Sequence, residues 1–214
     1  ILTETVFKWD INVMWVKHGC IFDQPAQLPT VLVKKNELQV FYSVRDQENR
    51  SRIYRLTLNR DFQVSHAGEF VLDLGKRGCF DDAGVMPSSV VVHNNLLYLY
   101  YTGWHLRQGL PYGQAIGLAI GMTVGGKFSR TTDGPVLDRN LHIPYLANSG
   151  YVIKRRKWQM WFCNGTGWEE NSPIYNIRQA ESKDGIYWAV KNTFSVGSPH
   201  ESSTTTSAFV KIKV

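Results

Sequence analysis

The residues best suited to chemistry are carboxylates at a wide, nearly regular spacing. Asp82 follows Asp23 by 59 residues, and Glu201 follows Asp82 by 119, about twice that interval. Ile143 stands at the intermediate position. If the interval marks a structural repeat, Asp23, Asp82 and Glu201 converge on one place. Convergent carboxylates suit glycosidic bond cleavage: one acid protonates the leaving oxygen, and the other activates water or attacks the anomeric carbon. Crowding raises the pKa of one of them, which supplies an acid at neutral pH. In this scheme Glu201 is the acid, Asp23 the base, and Asp82 tunes the pair or orients the sugar. The alternative is turn and capping chemistry, which Asp favours in any fold, and Asp81-Asp82-Ala83-Gly84 fits it well.

Two tryptophans follow glycine-containing segments, Tyr101-Thr102-Gly103-Trp104 and Cys163-Asn164-Gly165-Thr166-Gly167-Trp168. A Trp presented on such a loop can stack on the apolar face of a pyranose ring, or fold back onto the core. The corresponding stretch nearer the N-terminus has Arg45 and Asp46, with Arg52 close by. These groups can hydrogen-bond sugar hydroxyls or pair with one another. Other chemistries lack support. No phosphate-cradling glycine-rich loop opens a helix, and the six histidines have no metal-ligand spacing. We expect no cofactor and no metal.

The elements that must position these residues are strands. Three apolar runs carry paired aromatics: 38–43 with Phe41-Tyr42, 97–102 with Tyr100-Tyr101, and 158–163 with Trp161-Phe162. Each is preceded by another apolar run, at 29–33, 88–92 and 149–153, and followed by a third, at 51–56, 114–119 and 175–180. A further copy of the first run recurs at Ser207-Ala208-Phe209-Val210. Four short strands per period of roughly sixty residues, with no helical pattern between them, predict the blades of a β-propeller. A β-sandwich is the competing all-β fold, but its turns recur without such a super-period. The expected blades are 25–75, 84–139 and 145–195, with a fourth starting at 201–214. A propeller must close, since open blades leave unpaired edges; the expectation is therefore missing C-terminal blades, in a protein of roughly 300 residues, or a partner that closes the ring.

Composition narrows the partners. The net charge is +6, but the one dense basic cluster, Lys154-Arg155-Arg156-Lys157, lies between two strand-like runs and reads as an exposed turn. With no basic stripe elsewhere, nucleic acid is not expected as the main partner. No run approaches the roughly 18 apolar residues of a membrane span, so no membrane partner is expected. Cys20, Cys79 and Cys163 are too few and too dispersed for a disulfide framework, and suggest a reducing, cytoplasmic compartment.

Several segments resemble a known group: Phe80-Asp81-Asp82-Ala83-Gly84-Val85-Met86-Pro87-Ser88, Gly134-Pro135-Val136-Leu137-Asp138-Arg139, Met160-Trp161 through Trp168, and Ala180-Glu181-Ser182-Lys183-Asp184-Gly185-Ile186-Tyr187-Trp188. The group comprises bacterial glycosidase-like proteins related to the five-bladed propellers of glycoside hydrolase families 43, 32 and 130. The resemblance spans about 15–210 and implies a five-bladed propeller acting on an oligosaccharide or polysaccharide. Two departures accompany it. Relatives tend to carry Asp-Pro where this chain has Ile143-Pro144, and the acids that abut the inner strand in family 43 are replaced by residues such as Met86 and Asn148. Three functions stay open: a glycosidase using Asp23, Asp82 and Glu201, with Trp104, Trp168, Arg45, Asp46 and Arg52 on the substrate; a non-catalytic glycan-binding propeller using the same funnel; or a protein-interaction propeller whose Trp residues contact a partner.

Overall fold

A computed structural model describes residues 19–123 and 126–196, with side chains to residue 192. Glu201 and the strand expected at 207–210 lie outside the described residues. What is described is all-β, built as three antiparallel meanders. The first holds β1 (Gln27–Val33), β2 (Leu38–Arg45), β3 (Ser51–Leu58) and β4 (Val64–Leu72). The second holds β5 (Gly84–His93), β6 (Leu96–Arg107), β7 (Leu110–Met122) and the short β8 (Ser129–Arg130). The third holds β9 (Ala147–Lys154), β10 (Trp158–Glu169), β11 (Ser172–Ser182) and β12 (Ala189–Val196). Within each, strands pair in chain order; a single parallel pairing, Ser51 with Gly84, links the first two. Among the described residues no sheet closes on itself.

The paired aromatics fit a second strand with large side chains on both faces, and in the middle meander both faces are covered by neighbours. Successive strand residues point to opposite sides. Phe41 therefore joins the core between the first and second meanders, where Ile53, Leu97, Leu99, Tyr101 and Phe128 meet it. Tyr100 points the other way, into the core shared with the third, alongside Ile116, Trp158, Met160 and Phe162. Tyr42, on the outer face of the first meander, packs with Leu56 and Leu58. Trp161 is its counterpart on the outer face of the third, and is only half-buried. Each fully covered aromatic contributes on the order of 2–3 kcal/mol of hydrophobic stabilisation.

The three first strands share an irregularity. Between Gln27 and Thr30, between Pro87 and Ser89, and across from Trp161–Cys163, one extra residue enters β1, β5 and β9. The same bulge thus recurs at one repeat position. Leu28 and Ser149 adopt positive φ there, at 51° each. Bulges of this kind re-aim side chains and are common beside functional sites. The ladder also sets the phase of the repeat: Thr30, Ser89 and Tyr151 face Phe41, Tyr100 and Trp161, the first aromatic of each pair, and the third couple is one residue closer in sequence than the other two.

Candidate functional site

The starts of β1, β5 and β9 and the turns β2–β3, β4–β5 and β6–β7 lie at the same end of the meanders, and there, with Tyr175 of β11, they line a cleft of about 2010 Å³. The volume exceeds that of an ordinary ligand pocket. The cleft runs on over the outer face of the first meander, past Leu38, Leu56 and Leu58.

Just before the bulge, the ladder aligns Gln27, Met86 and Asn148 opposite Ser43, Thr102 and Cys163. All three are neutral. Asn148 is buried, and its Nδ2 donates to Gln114 Oε1 at 2.7 Å and to the Tyr175 hydroxyl at 3.2 Å. Burial raises the Tyr175 phenol well above its ordinary range, so it stays protonated. Beside this cluster, Ser88 and Thr102 share a hydrogen bond of 3.2 Å, and Ser149 N–H donates to Thr102 Oγ1 at 2.9 Å. The bulges thus bring Ser88 and Ser149 onto the cleft wall.

Trp104 forms the aromatic wall. Its Nε1 donates to Ser51 Oγ at 2.9 Å, and the Arg45 guanidinium lies over the ring, 5.8 Å from its centroid. The indole reaches Ser51 because position 84 is glycine: a Cβ there would fall 2.1 Å from Trp104 Nε1 and 2.3 Å from Ser51 Oγ. Trp168 is not among the lining side chains; it packs edge-on against Tyr112, which is, at 5.5 Å and 63°.

The carboxylates separate. Asp82 lines the cleft, and its Oδ2 accepts the Gly78 N–H at 2.8 Å. Asp23 is exposed, accepts a hydrogen bond from Gln24 at 3.1 Å, and is not among the lining residues. Ile143 is fully buried in the core between the second and third meanders. Asp81, adjacent to Asp82, is also fully buried; its Oδ2 accepts from Arg130 Nε at 2.7 Å and from the Tyr101 hydroxyl at 3.0 Å. That triad pins the β4–β5 loop, which carries Cys79, Asp82 and Ala83 into the cleft.

The polar trio of the first meander also divides. Arg45 lines the cleft and donates to Asn49 Oδ1 at 2.8 Å. Asp46 and Arg52 pair instead with each other, at 2.7 Å, while Arg52 also holds Asp73 at 2.8 Å and Arg50 holds Asp46 at 3.0 Å. The Arg52 guanidinium, helped by Arg50, holds the Asp46 carboxyl well below the usual range. Gln114, Asn148, Tyr112, Tyr175, Ser88 and Thr102 carry no sequence signal of their own; only the recurring bulge marks where they gather. Among the described residues no cluster of three His, Cys, Asp or Glu has metal-binding proximity, and the three cysteines are free.

No family model matches the chain. Over 192 residues it is 34% identical to uncharacterised proteins from two strains of Mycobacterium tuberculosis, covering 81% of this chain and 63% of each relative. The chain thus spans under two thirds of the curated relatives' length. Among solved structures it is similar to the sucrose-6-phosphate hydrolase of Lactobacillus gasseri (TM-score 0.64, 16% identity, 81% of this chain and 35% of that one). It is also similar to Zg3597, a family 117 glycoside hydrolase of Zobellia galactanivorans (TM-score 0.62, 10% identity, 78% and 55%). A third similar structure belongs to family 130, whose members include hydrolases that target β-1,2 mannosidic linkages (TM-score 0.58, 15% identity, 78% and 48%). Three stacked meanders, a recurring inner-strand bulge and these neighbours place the chain, by fold, with the glycosidase-like β-propellers.

Proposed function

We infer that the protein binds carbohydrate in the cleft at the mouth of a five-bladed propeller. The observation that carries this reading is the composition of the wall. Neutral hydrogen-bonding groups on Gln114, Asn148, Ser88 and Thr102 stand near the indole of Trp104. Such a surface suits a sugar, which presents hydroxyls on its edges and apolar C–H groups on its faces.

Five blades are supported by two observations. The outer faces of the first and third meanders, with buried Tyr42 and half-buried Trp161, meet no further meander among the described residues, whereas their counterparts on the second are covered between blades. The relatives extend beyond the matched 192 residues by roughly 110, close to two more repeats.

Hydrolysis of a glycosidic bond is the second reading, favoured by Asp82 facing the cleft. It requires a partner carboxylate about 5–10 Å away. The neutral ring of Gln27, Met86 and Asn148 does not supply one, and Glu201 is the sequence candidate. The test is a panel of oligosaccharides offered to the full-length gene product and to its Asp82→Asn and Glu201→Gln variants. Saturable binding by all three without release of reducing sugar or sugar phosphate supports the binding reading. Turnover abolished in both variants replaces it with hydrolysis or phosphorolysis. No binding of any sugar ends both.

A further inference from the structure

We propose that the end of the molecule opposite the Trp104 end of the cleft docks onto an anionic lipid surface. The turns at that end, β1–β2, β3–β4, β7–β8, β9–β10 and β11–β12, carry Lys34, Lys35, Arg60, Lys127, the run from Lys154 to Lys157, and Lys183. Against them stand Glu37, Asp61 and Asp184. The excess equals the +6 formal charge of the whole chain. At the cleft end the described carboxylates outnumber the Lys and Arg, so the charge is polarised between the two ends.

The basic groups are available and adjoining. Among the described residues Lys35, Lys127, Arg155, Arg156 and Lys183 have no ion-pair partner, whereas Lys34 pairs with Glu37 at 3.1 Å, Lys157 lies 3.5 Å from Glu181, and the Arg60 guanidinium donates to the Lys34 and Lys35 carbonyls. Lys34 Nζ donates to the Thr123 carbonyl at 3.0 Å, joining the turns of the first two blades. Lys127 crosses to Phe70 of the first blade at 5.4 Å. His93 and Lys154 both lie against Trp158, at 5.1 and 5.7 Å, joining the second blade to the third.

Apolar side chains are interleaved with this charge. Tyr187 is 80% exposed, Met122 67% and Val92 51%, while Phe62 and Arg60 on this end also line the far reach of the cleft. Cations attract anionic headgroups while apolar tips enter the acyl boundary, the two contributions that hold a peripheral protein to a bilayer. Lys and Arg stems lie flat along such a surface. A nucleic acid partner asks for something else: a groove of cations tracking one strand, with aromatic platforms for bases. Met122 and Val92 offer no platform, and the basic groups form a broad field. The expectation of no membrane partner rested on the lack of a spanning segment, which leaves a peripheral face untouched.

The test is co-sedimentation of the full chain with phosphatidylcholine vesicles, with and without phosphatidylserine, across a range of salt. Binding is expected only with the anionic lipid and should weaken as ionic strength rises. Removing two exposed cations in Arg155→Gln/Arg156→Gln should weaken it about 25-fold, at about fivefold per residue, without moving the melting temperature. Met122→Ser should weaken it independently of salt. Equal partition onto neutral vesicles, or none onto either, overturns the proposal. Retention of a single-stranded RNA oligonucleotide without vesicle binding overturns it too, and reassigns the face to nucleic acid.

Discussion

Asp81→Ala is the perturbation whose cost can be worked most closely. The carboxylate is fully buried, with Arg130 at 2.7 Å and the Tyr101 hydroxyl at 3.0 Å on the same oxygen, while Oδ1 has no hydrogen-bond partner. Its removal strands a guanidinium whose side chain is only 18% exposed. Breaking a buried pair by deleting one partner costs about 3–5 kcal/mol. Arg130 keeps its bond to the Asp73 carbonyl and its place over the Tyr101 ring, so the lower figure, about 3 kcal/mol, applies. In a chain of 214 residues that corresponds to a fall of roughly 6–12 °C in melting temperature. Urea unfolding of Asp81→Ala, Arg130→Met and the double variant measures it. The double variant should recover part of the loss, because no unpaired charge is left behind. Asp82→Asn, one residue along, keeps an acceptor for the Gly78 amide and should cost under about 1 kcal/mol. An Asp81→Ala variant within about 1 kcal/mol of the parent would refute the account of the joint between the first two blades.

Three further outcomes follow from the cleft and its surroundings. Gly84→Ala should displace the Trp104 indole from Ser51, costing about 1–3 kcal/mol in unfolding free energy and weakening sugar binding in titration calorimetry; unchanged affinity would mean that the indole's position is immaterial. Trp104→Phe should keep an apolar face but lose the bond to Ser51, for a stability loss of about 1 kcal/mol and less loss of affinity than Trp104→Ala shows. The folded Asp46 carboxyl lies below its unfolded value, so its contribution is present above the ordinary Asp range near pH 4 and disappears as pH falls through and below it. Asp46→Asn should therefore lower stability at neutral pH and flatten its acid dependence in urea titrations at several pH values, and an unaltered acid limb would count against the Arg52 pairing.

The repeat was legible because burial on both faces of a central strand demands two large side chains in succession. Phe41-Tyr42, Tyr100-Tyr101 and Trp161-Phe162 record that demand directly. The site was less legible. Placing residues by a fixed interval assumes unbroken ladders, yet each first strand carries an extra residue, and nothing in Leu28 or Ser149 announces a positive φ. The bulge is common to the three units, but the β9–β10 hairpin, counted between its paired Tyr151 and Trp161, is one residue shorter than its two counterparts, so the third unit falls out of phase by one and Ile143 belongs to the core. Direction was hidden as well. Arg45, Asp46 and Arg52 are close in sequence, but only Arg45 turns to the cleft, because two arginines and Asp73 engage the others. Asn148 and Gln114 come from different blades and meet only when the sheets stack.

The central claim, a carbohydrate site walled by Trp104 and the Asn148 cluster, is tested most directly by titrating the full-length protein with neutral oligosaccharides while following tryptophan fluorescence. The account predicts saturable binding that weakens at least about tenfold in Trp104→Ala and in Asn148→Ala, with both variants folded. Binding unaffected by either substitution, or no sugar bound at all, would contradict it.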